Sequence, residues 1–538
     1  MASTYSSEKV DYSAAMNLEP VAAADWLIVA PVLVSLIGGA VCLMMRKNTD
    51  AQPKLAMIFL ALLVLVNFGL LIRVLDQGVI TMVMGGWLPP FGIAFTVDAL
   101  GATLSLIASI VAFCAGLYGI VTVGATGRRY GFYPFLVLLM AGVCGAFLTG
   151  DIFNLYVWFE VLLISSYGML VLGNEKPQLD GALKYGVLNL IGTNFFLIGT
   201  GMIYGVFGTL NMADIAIKMS ELDSPASGTL LTIAVLYFLA FAMKAAAFPV
   251  NFWLPASYHT PNIVVSAVFA GLLTKVGVYA LMRIFVLIMP GSREALADLF
   301  AIVAILTLMT GAFGALAQSE LRRLLGYLVI AGIGSMLAGI AVGTTLALSG
   351  AIFYAVHSII VMTALYMASG IVNMMSGTYD LRQLGGLYQR NVAFAAVFLV
   401  LAFAVSGLPP FSGFWPKVLL VDAAFADGRA LLGAAILLSG FLTTIAMGRV
   451  WIYAFWRGGP EGTPDGESAG PGAAAAAAIA GGGAAGLAGP AVWLPLGILT
   501  AMIVYFGLQP EWMLELSTRG AVGLVEPRGY LRSVFGGL

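Results

Sequence analysis

The strongest constraint on this chain is a succession of long apolar stretches almost free of charge. They run at about 26–45, 55–72, 99–123, 130–150, 152–173, 185–210, 228–248, 262–288, 299–319, 324–342, 345–375, 392–421, 430–456 and 491–510. A helix needs about 20 apolar residues to cross a bilayer. Hydrocarbon offers the backbone no water to bond, so only helices and closed barrels can span it. None of these stretches alternates, over about ten residues, in the manner of a barrel strand. The expectation is an all-α polytopic membrane protein with about fourteen transmembrane helices. Only 9% of the 538 residues are charged, and 25 Lys and Arg nearly cancel 26 Asp and Glu. That balance provides no basic excess for nucleic acid, whose binding depends on neutralising phosphates. The lipid bilayer is the expected environment.

Cys42, Cys114 and Cys144 lie in apolar stretches without CxxC or Cys/His clustering, so neither a disulfide framework nor a metal site is expected. No Walker loop, dinucleotide fingerprint or nucleophile elbow is present, and two histidines support haem ligation poorly. No cofactor is expected. Residues 1–25 are polar and mixed in charge, without the basic start and cleavage site of a secretory signal, so the first apolar segment reads as a retained span. Lys and Arg collect in alternate loops, among them Arg46, Lys47, Arg128, Arg129, Lys184, Arg322, Arg323 and Arg390. By the positive-inside bias those loops are cytoplasmic, and an even helix count puts both termini outside. Residues 457–490, rich in Gly, Ala and Pro, read as a cytoplasmic linker. An Ala-rich helix at 473–490 is the alternative, and it would flip the C-terminus.

One internal repeat is visible. Residues 239–253 read LAFAMKAAAFPVNFW and residues 401–415 read LAFAVSGLPPFSGFW. Each copy carries proline in mid-segment, Pro249 in the first and Pro409 and Pro410 in the second, and proline removes a donor and clashes with the preceding turn. Each helix should break there, near 244–255 and 406–417. A break inside hydrocarbon persists only where protein or a wet cavity satisfies the freed groups, and paired broken helices point to a transporter's ion path. Kinks used only for packing are the plainer alternative.

Charge inside the membrane singles out the candidate residues. A charged side chain at the centre of a span costs about 2.5–3.5 kcal/mol. Four are retained: Glu160 in FNLYVWFEVLLISSY, Lys244 before the first break, Lys275 in AGLLTKVGVYAL and Lys417 after the second break. The two histidines belong with them, His357 in mid-segment and His259 just after the first break. Histidine changes charge near neutrality, so it suits a relay between lysines. Order along the chain gives a lateral path, Glu160, Lys244, Lys275, His357 and Lys417. A carboxylate beside an ammonium stabilises both charged forms, so moving the pair apart alters the lysine's hold on its proton. Static charges that join helices are the structural alternative.

FNLYVWFEVLLISSY, FAMKAAAFPVNFWLPASYHTP, AGLLTKVGVYAL and GLPPFSGFWPK together resemble the antiporter-like family shared by Mrp-type Na+/H+ antiporters and respiratory complex I. The forms LPASYHTPN and FSGFWPK are similar to those of the Mrp D-type subunits. The resemblance implies fourteen helices with two inverted five-helix repeats. The first would fall at 130–290 and the second at 296–456, after N-terminal helices at 26–123 and before a last helix and tail at 491–538. By the same resemblance Glu160 corresponds to the family's glutamate on the fifth helix, Lys244 to the lysine on the broken seventh, and Lys275 to that on the eighth. His357 corresponds to the histidine on the eleventh and Lys417 to the lysine on the broken twelfth. Met362 stands where the family often has a further lysine. The family implies a bacterial cell membrane and partner subunits of six or seven kinds, with protons moved and Na+ as a further candidate ion. Glu160 is the one clear intramembrane carboxylate, so no dehydrated Na+ cage is expected. The nearest alternative is an antiporter-like proton-pumping subunit of complex I or of a membrane-bound hydrogenase; a third reading is a scaffold without conduction of its own.

Overall fold

A computed structural model of the chain describes residues 15–16, 21–222, 227–459 and 489–536. Most of the expected polar N-terminal segment and most of the Gly/Ala/Pro-rich linker, with nearly all of its alternative helix at 473–490, lie outside the described residues.

The described chain is helical almost throughout. In order it forms α1 (Trp26–Met44), α2 (Ala51–Gln77), α3 (Ala99–Thr122), α4 (Phe132–Leu148), α5 (Ile152–Leu170) and α6 (Lys176–Phe207). There follow α7 (Gly228–Ala245), α8 (Trp253–Tyr258), α9 (Ile263–Ile288), α10 (Ala297–Ala317), α11 (Leu321–Val342) and α12 (Thr345–Ser376). The last third contains α13 (Val392–Ser406), α14 (Phe414–Ala426), α15 (Ala430–Trp456), α16 (Pro490–Leu508), α17 (Glu511–Val525) and α18 (Arg528–Phe535). Among the described residues, 12 helices are long and apolar enough to cross a membrane. Two shorter apolar helices, α4 and α13, occupy stretches expected to span.

Several helices run past the expected apolar limits because polar residues at the membrane surface continue the helix. α6 begins at Lys176, where the Glu175 side chain and Gln178 form a reciprocal cap. α2 extends to Gln77, and Arg73 near its end bonds Asp25 at 2.5 Å. Within the 392–421 stretch, α13 and α14 are separated by residues 407–413.

Two features escaped the apolar pattern. Residues 80–97 form a hairpin in which β1 (Ile80–Val83) pairs antiparallel with β2 (Ala94–Val97), Ile80 opposite Val97. The expected C-terminal tail folds as α17 and α18. α18 packs on the hairpin, where Ser533 bonds Thr81 at 2.7 Å, and α17 packs on α12 and α3, where Ser517 bonds Ser349 at 3.1 Å. Ala15 lies against the hairpin loop, its carbonyl accepting from the Leu88 amide at 2.9 Å.

The interior is built on α9, α11 and α12. α9 is buried along its length, whereas only 33% of the apolar window of α2 is covered. Contacts run laterally from α5 to α6, α7, α9, α12 and α14. The five intramembrane residues of the expected path sit on helices in that line, Glu160 on α5, Lys244 on α7, Lys275 on α9, His357 on α12 and Lys417 on α14.

Candidate functional site

At the first break α7 ends at Ala245, and Ala246 turns the chain with φ 60°. One backbone group before Pro249 and one side chain after it find partners on α10. The Phe248 amide donates to Thr307 Oγ1 and the Asn251 amide side chain to Thr310 Oγ1, each at 3.0 Å. The Trp253 indole donates back to the Met243 carbonyl at 3.0 Å. This is how a break persists inside hydrocarbon: a neighbouring hydroxyl takes the Phe248 amide and an indole takes the Met243 carbonyl.

Lys244, buried in the last turn of α7, donates to Thr193 Oγ1 at 3.0 Å. The Thr193 hydroxyl in turn donates to Glu160 Oε1 at 3.0 Å. The ammonium also lies 4.8 Å from the centre of the Phe159 ring, a favourable cation–π position. Lys244 and Glu160 are therefore joined through a hydroxyl and make no direct ion pair among the described residues. α5, α6 and α7 each contribute one member.

Lys275 is 1% exposed in the middle of α9, and its ammonium folds back onto the Ala270 carbonyl of the same helix at 2.5 Å. Beside it the Thr274 hydroxyl is buried without a partner. His357, also 1% exposed, bonds Ser412 Oγ through Nδ1 at 2.8 Å, and so ties α12 to the second break.

At that break α13 ends at Ser406, Gly407 turns with φ 83°, and the chain passes Pro409 and Pro410 before α14 begins at Phe414. Lys417 reaches back from α14 to the Ser406 carbonyl at 2.6 Å, with Val405 O at 3.5 Å. A cation at a helix C-terminus satisfies orphaned carbonyls and opposes the helix dipole. Gly407 leaves room for it: a Cβ there would lie 2.8 Å from Lys417 Nζ.

His259 stands apart from these groups, at the end of α8 in a surface cavity of about 340 Å³. Its Nδ1 faces the Pro255 carbonyl at 2.8 Å and its Nε2 faces Arg323 Nη2 at 2.9 Å. A guanidinium can only donate, so Nε2 accepts, Nδ1 carries the proton and the ring is neutral. Burial first, and Arg323 second, hold this imidazole below the usual histidine range.

The structure thus joins Glu160, Thr193 and Lys244, and separately His357 and Ser412. Among the described residues no hydrogen bond connects Lys275 to either group. Thr193 and Ser412 were absent from the expected set, and so was the buried Arg283. It is 1% exposed in α9, with Nη2 2.5 Å from Asp98, which caps α3. An arginine inside the 262–288 stretch was a legible signal: it is the same kind of costly charge as Lys275.

This arrangement of broken helices around buried charges, in a bundle of apolar spans, defines a polytopic membrane protein of the antiporter-like class. A family model described as "NADH:quinone oxidoreductase/Mrp antiporter, TM" matches residues 149–443. The D-type subunit of the Na+/H+ antiporter of Alkalihalophilus pseudofirmus is 37% identical over 508 residues, 94% of this chain and 99% of that protein. A chain of the Mrp complex from Dietzia sp. superposes with a TM-score of 0.86 at 27% identity, covering 96% of this chain and 100% of its own. A chain of respiratory complex I from Thermus thermophilus shares the fold, with a TM-score of 0.76 at 22% identity over 93% of this chain and 99% of that one. The chain belongs to the Mrp-type antiporter family, in the group of D-type Na+/H+ antiporter subunits. It is a membrane antiporter component, a transporter and not an enzyme.

Proposed function

We propose that this chain is the proton-translocating D-type subunit of a multisubunit Na+/H+ antiporter. It works with the other Mrp-type subunits, of six or seven kinds, in the bacterial cell membrane with both termini outside. Its two halves act as inverted repeats, each organised round one broken helix at Pro249 or at Pro409 and Pro410. Protons pass along Glu160, Lys244, Lys275, His357 and Lys417, with His259 at the surface beside the first break. The other subunits receive the coupled Na+ movement; Na+ entry into this chain is the secondary reading, since Glu160 is its one carboxylate on the path.

The observation that carries this reading is the chain Lys244–Thr193–Glu160, with each leg at 3.0 Å. It places a proton donor, a hydroxyl that both donates and accepts, and a proton acceptor in one line inside the membrane. Such a line can move charge when the flanking helices shift, because the ammonium and carboxylate stabilise each other only while they stay close. The packing of α7, α9, α12 and α14 extends the line toward the second break. Water has to bridge Lys275 to its neighbours, and the unpartnered Thr274 hydroxyl is a natural place for it to bind.

The test is Na+-driven pH change in vesicles containing the whole complex with Glu160→Ala or Lys244→Ala. Each substitution is expected to lower exchange per assembled complex by about a hundredfold or more. Near-normal exchange in both would overturn the relay.

A further inference from the structure

We infer that Thr193 is itself a proton-carrying member of the path, the hydroxyl through which Lys244 and Glu160 exchange a proton. This rests on the relay reading above and adds a residue and a step to it. The geometry is specific. Thr193 Oγ1 has one lone pair engaged by the Lys244 ammonium and its single proton committed to Glu160 Oε1, both at 3.0 Å. The side chain is buried on α6, and its neighbour Gly192 lets that helix approach α7 closely: a Cβ at Gly192 would lie 3.2 Å from the Ala240 carbonyl.

The orientation of the hydroxyl is unusual for a threonine in an apolar helix. Thr200, on the same helix, bonds the Phe196 carbonyl one turn back at 2.8 Å, and Thr307 and Thr363 do the same on theirs at 2.6 and 2.8 Å. That local bond is the ordinary resting place of a buried threonine hydroxyl. The proton of Thr193 points instead to a carboxylate on another helix.

The step balances without any further reactant. One Nζ–H bond of Lys244 breaks as an O–H bond forms on Thr193, and the original Thr193 O–H bond breaks as an O–H bond forms on Glu160. Lys244 becomes a neutral amine, Glu160 a neutral acid, and Thr193 is again a hydroxyl with its proton reversed toward lysine. The hydroxyl also holds the ammonium and carboxylate apart. Coulomb attraction falls with distance, so the spaced pair is easier to neutralise than a contact pair. A contact ion pair would hold the proton on lysine; the inserted hydroxyl makes the neutral pair reachable.

The experiment uses the complete antiporter complex in vesicles, with exchange normalised to assembled complex. Thr193→Val keeps shape and removes the hydroxyl; Thr193→Ala removes it with less bulk, in case valine impairs assembly; Thr193→Ser restores it without the methyl group. The expected result is a loss of about tenfold to a hundredfold in both hydroxyl-free variants and recovery to within about threefold of the parent in Thr193→Ser. Exchange near the parent rate in Thr193→Val or Thr193→Ala, with Glu160→Ala inactive, would overturn the role of Thr193 and leave the relay standing. Failure of Thr193→Ser to recover would also overturn it, since packing rather than the hydroxyl would then be at stake. Normal exchange in Glu160→Ala as well would remove the relay itself.

Discussion

At the first break the ammonium comes from the helix that ends there, Lys244 in the last turn of α7; at the second it comes from the helix that begins there, Lys417 in α14. The repeated sequences align so that Ser406 stands in the second copy where Lys244 stands in the first. Lys417 places its ammonium on the Ser406 carbonyl at 2.6 Å. Lysines from opposite sides of the two interruptions therefore bring an ammonium to corresponding places, the C-terminal ends of α7 and α13. What differs is the partner. Lys244 reaches a carboxylate through a hydroxyl, whereas Lys417 meets backbone carbonyls, which cannot take up a proton. The first break thus holds a pair whose charges can cancel, and the second holds a cation in a fixed seat. Ionisable company at the second break comes from His357, held by Ser412 rather than by Lys417.

Arginine substitution gives the largest expected effect. Arg keeps the charge and can cap the carbonyls of α13, but it does not release a proton in proteins. Lys417→Arg should leave the complex assembled and lower exchange by about a hundredfold, as Lys244→Arg should. Vesicle exchange per assembled complex measures both. Near-normal exchange with arginine at 417 alone would make that lysine a helix cap and confine proton handling to the first break.

The turns themselves come next in size. Gly407 has φ 83°, and a Cβ there would lie 2.5 Å from Lys417 Cδ. Gly407→Ala should destabilise by about 1–3 kcal/mol, from the left-handed backbone and the displaced lysine. Ala246, with φ 60° at the first break, already bears the strain that glycine avoids. Ala246→Gly should range from neutral to about 1 kcal/mol stabilising, the relief being offset in part by chain entropy. Thermal unfolding of the purified complex reads both, and equal shifts would erase the distinction between the two turns. Ser412→Ala, which removes the His357 partner, should cost about 1 kcal/mol by the same measurement, with Ser412→Thr restoring most of it.

Much of this site was legible because charge in an apolar span is rare and costly. Glu160, Lys244, Lys275 and Lys417 stood out for that reason, and the prolines marked where the helices stop. Hydroxyls gave no such signal. Thr193 and Thr200 lie on one apolar helix; one bridges two charges, and the other donates to its own backbone and meets the Tyr237 hydroxyl. Serine and threonine can satisfy themselves within a turn, so sequence cannot distinguish a local bond from a bond across helices. Arg283 was overlooked in a stretch read for its hydrophobicity, although it meets Asp98 across 185 positions of chain. The hairpin and the C-terminal helices lie outside the apolar pattern, and contacts with the ends of the spans place them. Ser517 on α17 against Ser349 on α12 is one such contact.

The histidines repeat the contrast between the breaks and yield the smallest effect. His357 is inside the spans and bonded to a serine; His259 is at the surface and bonded to a cation. His259 is held below the ordinary histidine value of about 6.5 by burial and then by Arg323. The sign follows. In the unfolded chain this histidine takes up a proton as pH falls through its ordinary value, while in the folded chain it stays neutral. Folded stability from this residue is therefore unaffected above that value and declines as pH falls below it. Replacing Arg323 with Gln removes the facing cation and should raise the His259 titration point while leaving that of His357 in place. Nitrogen NMR of the two histidine rings, followed against pH in the assembled complex, separates them. An unchanged His259 titration would assign its depression to burial alone. A shift at both rings would mean that the two breaks share an electrostatic environment and do not differ as their partners indicate.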